Sequence, residues 1–363
     1  MNIKEIENCQ YDLLSLGEVM LRMDPGEGRI RTTRLFKVWE GGGEYNVARA
    51  MNKCFKKRSA IVTSFVNNEV GKLIEDLILQ GGVDTKYIKW KDFDGIGRSA
   101  RNGINFTEKG FGVRGALGCS DRGNTAISQL KPGDIDWDNI FNNGVRWFHT
   151  GGIFAGLSEK APSVILEAME SAKSHNTIIS YDLNYRESLW QSSGGKIACQ
   201  EINNKIINYV DVLIGNEEDF TSCLGFKVKG IEKDLSSLPI DGFKSMVKDV
   251  SRKYENLKII GTTLRSVKNA GINDWSAIAW GKKEGFVESV AMPDLPIYDR
   301  VGGGDGFASG MIFGILEDLG LEKAVNYGTA HGALAMTTPG DTSMVSFDEV
   351  ISLAENPNFR VIR

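Results

Sequence analysis

Short apolar runs recur along the chain, most of them followed by a stretch with helical spacing, and this alternation limits the folds open to it. YDLLSLGEVM (11–20), SAIVTSFV (59–66), VRWFHTGGI (145–153), TIISYDLNY (177–185), DVLIGN (211–216) and LKIIGTTL (257–264) read as strands. EYNVARAMNKCF (44–55) reads as an amphipathic helix, and VGKLIEDLILQGG (70–82) as another that is closed by glycine. Strands that are apolar on both faces and separated by helices bury both faces only in a mainly parallel sheet covered on each side. The predicted fold is doubly wound α/β.

Two stretches break the alternation. Residues 20–39 and 97–119 carry period-2 patterns, glycine turns and many arginines. They predict extra strands off the main sheet, and two such excursions point to a lid over a site rather than to unrelated surface hairpins. KGIEKDLSSLPIDG (229–242) reads as a surface insertion ahead of the helix FKSMVKDVSRKY. No repeat, low-complexity tract or linker divides the sequence, so one domain over 1–363 is expected. A net charge of −4 argues against a general nucleic-acid binder. Cys9, Cys54, Cys119, Cys199 and Cys223 are scattered without a C-x-x-C pair, which fits reduced thiols and a cytoplasmic setting. His149, His175 and His331 lack metal-ligand spacing, and no apolar run approaches the roughly 20 residues of a membrane span.

The chemistry concentrates at YDRVGGGDGFASG (298–310). The apolar segment after it suits a buried helix, which places Gly302, Gly303 and Gly304 at the helix N-terminus. There the first N–H groups lack internal partners and the helix dipole favours negative charge. Glycines let an anion approach that backbone closely. A carboxylate at the same point would repel the anion unless it serves the anion's neighbour. Asp305 therefore fits as base for a hydroxyl attacking a phosphoryl group; the plain alternative is a glycine-rich turn with an ordinary first-turn aspartate. GGGDGF is not G-x-G-x-x-G, which disfavours a nicotinamide-dinucleotide enzyme.

A second cluster, WEGGGEYNVARAM (39–51), sets glycines before another helix. Together the two motifs resemble the PfkB, or ribokinase-like, carbohydrate kinases. Gly42, Gly43 and Asn46 match the family's N-terminal signature. Asp299, Gly302, Gly303, Gly304 and Asp305 match D-[ST]-x-G-[AG]-G-D, with Arg300 in place of the hydroxyl residue. NEED (Asn216, Glu217, Glu218, Asp219) corresponds to the family's N-x-x-E motif, so the resemblance implies ATP with Mg²⁺ held near Glu218 or Asp219. It also allows for a monovalent cation and for a homodimer paired through lid strands. YDLNYRESLW (181–190) and SDRGNTAIS (120–128) resemble stretches of 2-keto-3-deoxygluconate kinases, which implies that Arg122 and Arg186 grip a sugar acid and that Asn184 lies toward the nucleotide. GTTLRSVKNAG (261–271) takes the place of a phosphate loop, with Thr263, Arg265 and Ser266 as candidates. NYGTAHGALAMTTPG (326–340) takes that of the adenine side, with Ala333 and Thr337. His331 reads as structural. The resemblance implies ATP-dependent phosphorylation of 2-keto-3-deoxygluconate to its 6-phosphate. Fructose, 5-dehydro-2-deoxygluconate, or a non-catalytic sugar-binding role on the same fold are the rival readings.

Overall fold

The computed structural model of the protein describes residues 1–226 and 240–356. Its strands are β1 (Tyr11–Leu16), β2 (Met20–Asp24), β3 (Lys37–Gly41), β4 (Ser59–Val66), β5 (Ile88–Lys91), β6 (Ile104–Glu108) and β7 (Leu117–Asp121), followed by β8 (Val145–Gly151), β9 (Ile178–Asp182), β10 (Val212–Asn216), β11 (Ile259–Asn269), β12 (Ile272–Gly281), β13 (Gly285–Glu288) and β14 (Met292–Pro296). Parallel pairing runs in the order β5-β4-β1-β8-β9-β10-β11. Antiparallel β12, β13 and β14 extend the β11 edge. Because β1 lies between β4 and β8, the connections diverge there. A crevice opens at the carboxyl ends of the strands beside that reversal, where α/β sheets bind ligands.

Side-chain alternation explains why both faces are covered. In β4, Ile61 and Phe65 enter an apolar cluster with the helices Gly43–Lys53, Gly303–Leu316 and Leu321–Ala335. Ala60 and Val62 enter a second cluster with the helices Ala161–Ser174 and Ile240–Lys253. Each large apolar side chain buried this way contributes about 2 kcal/mol over exposure. The doubly wound expectation holds.

The two arginine-rich excursions form a second sheet in the order β3-β2-β6-β7, and its strands run on to Gly41 and Asp121, past the expected ends. This is the lid. The stretch 11–20 is two strands rather than one, broken at 17–19. The stretch 145–153 ends as a strand at Gly151 and continues as the short helix Gly152–Ala155. Of the expected insertion at 229–242, all but its last three residues lie outside the described chain, and those three begin the helix Ile240–Lys253. Among the described residues no helix is long and apolar enough to cross a membrane.

Helix Gly303–Leu316 is fixed by its contact with Leu321–Ala335, where small residues let the backbones touch. A Cβ at Gly310 would lie 2.6 Å from the Tyr327 carbonyl oxygen, and one at Gly328 would lie 2.7 Å from that of Phe307. His331 is buried in this contact between Ser309 Oγ (2.9 Å) and Ser343 Oγ (2.8 Å), and burial pushes its pKa down to about 4. It is structural, as expected. The same packing sets where the N-terminus of Gly303–Leu316 points.

Candidate active site

A cleft of about 760 Å³ lies at the carboxyl ends of the central strands, beneath the lid. Asp182, Asn216 and Thr263 enter it from the main sheet, Glu18 from the break between β1 and β2, Asn105 and Thr107 from the lid, and Gly302, Gly304 and Asp305 from the helix N-terminus. A larger depression of about 1110 Å³ lies at the opposite edge, near Lys4, Arg146 and Leu316. Strand polarity puts that one at the wrong end of the sheet for the ligand site of such a fold.

Asp305 stands at the centre. Asn46 Nδ2 donates to its Oδ2 at 2.7 Å, joining the two sequence motifs across 259 positions. The side chain reaches the cleft yet is closely surrounded, and burial pushes its carboxyl up to about 6 against the lowering effect of Asn46. Asp305 Oδ1 takes no hydrogen bond among the described residues. Gly42 and Gly43 bring the helix bearing Asn46 close enough. A Cβ at Gly42 would sit 1.9 Å from the Glu18 carbonyl oxygen, and one at Gly43 would sit 3.4 Å from Asp305 Oδ1. Gly41, read from sequence as part of the same cluster but given no role, is equally constrained: its Cβ would lie 2.2 Å from Asp341 Oδ2.

The glycine run divides its work. Gly302 caps the helix at φ 87°, in the left-handed region that favours glycine, and no side chain accepts from the first turn. At Gly303 a Cβ would press on Met336 Sδ at 3.0 Å, whereas at Gly304 it would meet nothing within 4 Å. Gly304 therefore opens directly into the cleft, and the unpartnered N–H groups there suit an anion.

Arg265 and Arg300 line the same side of the cleft, and neither guanidinium has a hydrogen bond or ion pair among the described residues. Burial lowers the Arg300 pKa, and the positive charge of Arg265 lowers it further. The arginine that replaces the family's hydroxyl residue at 300 is thus one of two guanidinium groups facing this side of the cleft, a setting that suits phosphates. Ser266 does not join them. The stretch 261–271 is not a loop: β11 runs unbroken to Asn269, paired with β12. Alternation sends Thr263, Arg265 and Val267 into the cleft and Ser266 away from it. Ala333 is buried in the core, and Thr337 is exposed with Oγ1 donating to the Leu334 carbonyl at 2.6 Å; neither lines the cleft.

Asn216 begins the helix Glu217–Leu224 and is capped reciprocally by Asp219, whose Oδ2 accepts from the Asn216 N–H at 2.8 Å. Asp219 Oδ1 accepts from the Tyr185 N–H at 2.9 Å. The shortened acid is thus folded back into the backbone with both oxygens engaged, and burial pushes its carboxyl up to about 6. Glu218 is exposed and lines the cleft with its carboxylate unpaired among the described residues. No group of three or more His, Cys, Asp or Glu that could hold a metal occurs among the described residues. A single cleft-facing carboxylate such as Glu218 fits Mg²⁺, which keeps several waters and takes one or two carboxylates together with substrate phosphates.

On the sugar side the two arginines differ. Arg122 is already paired with buried Glu18, Nε at 2.8 Å and Nη2 at 2.5 Å from Oε2. Glu18 Oε1 also accepts from Thr125 Oγ1 at 3.1 Å. Arg186 is exposed to the cleft and, among the described residues, donates only to the Tyr185 carbonyl, at 2.8 Å. The two arginines expected as equal acid grips therefore differ: Arg122 is held by Glu18, and Arg186 has no carboxylate partner among the described residues. Asn184, at φ 34°, lines the cleft beside Gly43, whose Cβ would lie 3.5 Å from its Nδ2. Sequence reading missed Asp182, though it opens the same D-x-N-x-R stretch at the end of β9. Burial, then the charges of Asp219 and Asp305, drive its carboxyl well above the ordinary range. It also missed Glu44, whose buried Oε2 has no partner and whose carboxyl burial raises to about 8.

An anion-accepting helix end, a carboxylate held beside it and a lidded pocket belong together in phosphotransferases acting on a small alcohol. Residues 12–347 match the model of the pfkB family carbohydrate kinases, and the chain belongs to that family of sugar kinases. It is 27% identical over 340 residues to the 2-dehydro-3-deoxygalactonokinase of Haloferax volcanii, covering 93% of this chain and 95% of that relative. To the 5-dehydro-2-deoxygluconokinase of Geobacillus kaustophilus it is 25% identical over 335 residues, or 90% of this chain and 88% of that one. The crystal structure of the 2-dehydro-3-deoxygluconokinase of Thermotoga maritima aligns with a TM-score of 0.85 at 34% identity, over 95% of this chain and 99% of that one. The nicotinamide and non-catalytic readings end here.

Proposed function

We propose that this sugar kinase transfers the terminal phosphoryl group of ATP to the primary hydroxyl of a 2-keto-3-deoxy sugar acid, with 2-keto-3-deoxygluconate giving its 6-phosphate. The observation that carries the choice of an acid is Arg186, a guanidinium facing the cleft near Asp305 with no carboxylate paired to it among the described residues. Burying that cation beneath a closed lid without an anion would be costly, and a substrate carboxylate supplies one. The relatives of Haloferax and Thermotoga, both kinases of keto-deoxy acids, support it. 5-Dehydro-2-deoxygluconate is the second reading, favoured by the relative of Geobacillus.

In this reading Asn46 holds Asp305 so that Oδ1 accepts the hydroxyl proton as the new ester bond forms. The N–H groups of Gly303 and Gly304 meet the charge on the transferring group. Arg265 and Arg300 bind the terminal phosphates, and Thr263 with Asn184 and Asn216 shapes the wall beneath them. Bound Mg²⁺ would neutralise triphosphate charge, with Glu218 holding its water shell and Asp219 fixing the helix that carries Glu218. The whole chain acts as one kinase unit with the lid inserted. β7, exposed along its length, offers an edge for pairing with a second copy. Free cysteines fit a cytoplasmic setting.

The test is kcat/KM across sugar acids and neutral sugars, followed by ADP release. 2-Keto-3-deoxygluconate is expected to exceed fructose and ribose by at least about a hundredfold, the scale of a site left with an unpaired charged group. Fructose turned over as well as the acid would end the acid-sugar reading.

A further inference from the structure

Behind the glycine loop lies a buried node of charge that the catalytic reading does not use. Arg22, on lid strand β2, is 1% exposed, and around it stand Asp24, Asp299 and Asp341 at 2%, 3% and 8%. Its Nη1 lies 2.7 Å from Asp341 Oδ1 and its Nη2 lies 3.1 Å from Asp24 Oδ2, while Nη2 also meets Asp299 Oδ2. The carboxylates in turn hold backbone. Asp24 Oδ1 accepts from the Gly26 N–H at 2.7 Å, and Asp299 Oδ1 from the Val301 N–H at 3.2 Å. The Asp341 carbonyl lies against Gly302 so closely that a Cβ there would be 2.3 Å away. One guanidinium therefore joins the lid, the segment leading into helix Gly303–Leu316, and the loop that follows helix Leu321–Ala335.

Without that cation, three carboxylates would be buried together directly behind the backbone that must accept a phosphoryl group. They would repel one another and the incoming anion alike, and relief would come only by protonation or by displacement of the loop. We propose that Arg22 is a positioning residue, a built-in cation that holds the Asp299–Gly304 loop in its anion-accepting shape and couples that shape to the seating of the lid. The inference rests on the kinase reading above. It has a consequence for the cation requirement: the guanidinium already occupies the position between Asp24, Asp299 and Asp341 where an added ion would have to sit, so turnover does not depend on an added monovalent cation.

The test combines ion exchange with chemical rescue. Wild-type turnover is expected to be the same in potassium, sodium and tetramethylammonium salts. Arg22→Ala is expected to lose about a hundredfold in kcat, the scale of a misplaced reacting group. Dilute guanidinium should restore part of that loss, while urea, similar in shape but uncharged, should not. A wild type that needs potassium, an alanine variant as active as wild type, or equal rescue by urea would each overturn the inference. If Arg22→Ala does not fold, Arg22→Lys decides, because it keeps the charge but loses the fork that reaches three carboxylates. Its kcat should fall about tenfold with little change in melting temperature, and an unchanged kcat would overturn the proposal. A wild type inactive on every sugar would count against the kinase reading instead. Tripolyphosphate binding then carries the test: it should be tight in wild type, weak in Arg22→Ala and recovered with guanidinium, and equal binding throughout would overturn the inference.

Discussion

Asp305→Asn is expected to lower kcat by at least about a hundredfold, the contribution of a lost general base, while the protein folds and binds ATP as before. The amide matches the carboxylate in size and sits in the first turn of a helix whose cap is Gly302, so no packing or capping contact depends on the charge. What is lost is the proton acceptor at Oδ1. The wild type should show the same dependence through pH. Burial raises the Asp305 carboxyl to about 6, and the protonated acid cannot take the hydroxyl proton. kcat/KM should therefore be full well above that value and fall as pH drops through it. The acid limb should be absent from whatever activity the asparagine variant keeps. Near-wild-type turnover in the variant would remove Asp305 from this role.

Arg186→Ala should separate acid from neutral substrates. Its guanidinium has no ion-pair partner among the described residues, and it faces the cleft. A substrate carboxylate would thus meet a cation that is not already neutralised. Removing a charged hydrogen bond of this kind costs about 2 kcal/mol, or roughly thirtyfold in kcat/KM. That loss should appear with 2-keto-3-deoxygluconate and be nearly absent with fructose, and equal losses on both would place Arg186 in general structure. Arg122 offers the contrast. Its alanine variant leaves Glu18 buried and unpaired, so it should lower stability and harm every substrate alike.

The parts of this molecule that could be read from sequence are those set by local pattern. Alternating apolar strands and helical segments predicted the doubly wound sheet, and two glycine runs ahead of helices pointed to the residues Gly42, Gly43, Asn46, Gly302, Gly304 and Asp305 that line the cleft. What escaped was set by pairing across distance. The polar run LRSVKN carries no strand signal of its own; β12 makes it one by antiparallel pairing, and that alternation removes Ser266 from the site while leaving Arg265 in it. Ala333 could not be told from an adenine contact because the need for small residues comes from the backbone of the facing helix. Arg122 looked free until Glu18, 104 positions away, appeared beside it. Arg22 passed as one arginine among many in the stretch 20–39, since Asp299 and Asp341 meet it from 277 and 319 positions along the chain. Asp219 was legible as a departure from the family pattern, but only the fold shows the shorter side chain spent on the backbone.

The central claim is a phosphoryl transfer from ATP to the primary hydroxyl of a sugar acid, and phosphorus–proton correlation NMR of the reaction product tests it most directly. Incubation of the wild type with ATP and 2-keto-3-deoxygluconate should give ADP and a single monoester whose phosphorus couples to the C6 methylene protons. No such ester with this acid, or an ester on a secondary hydroxyl, would contradict the account.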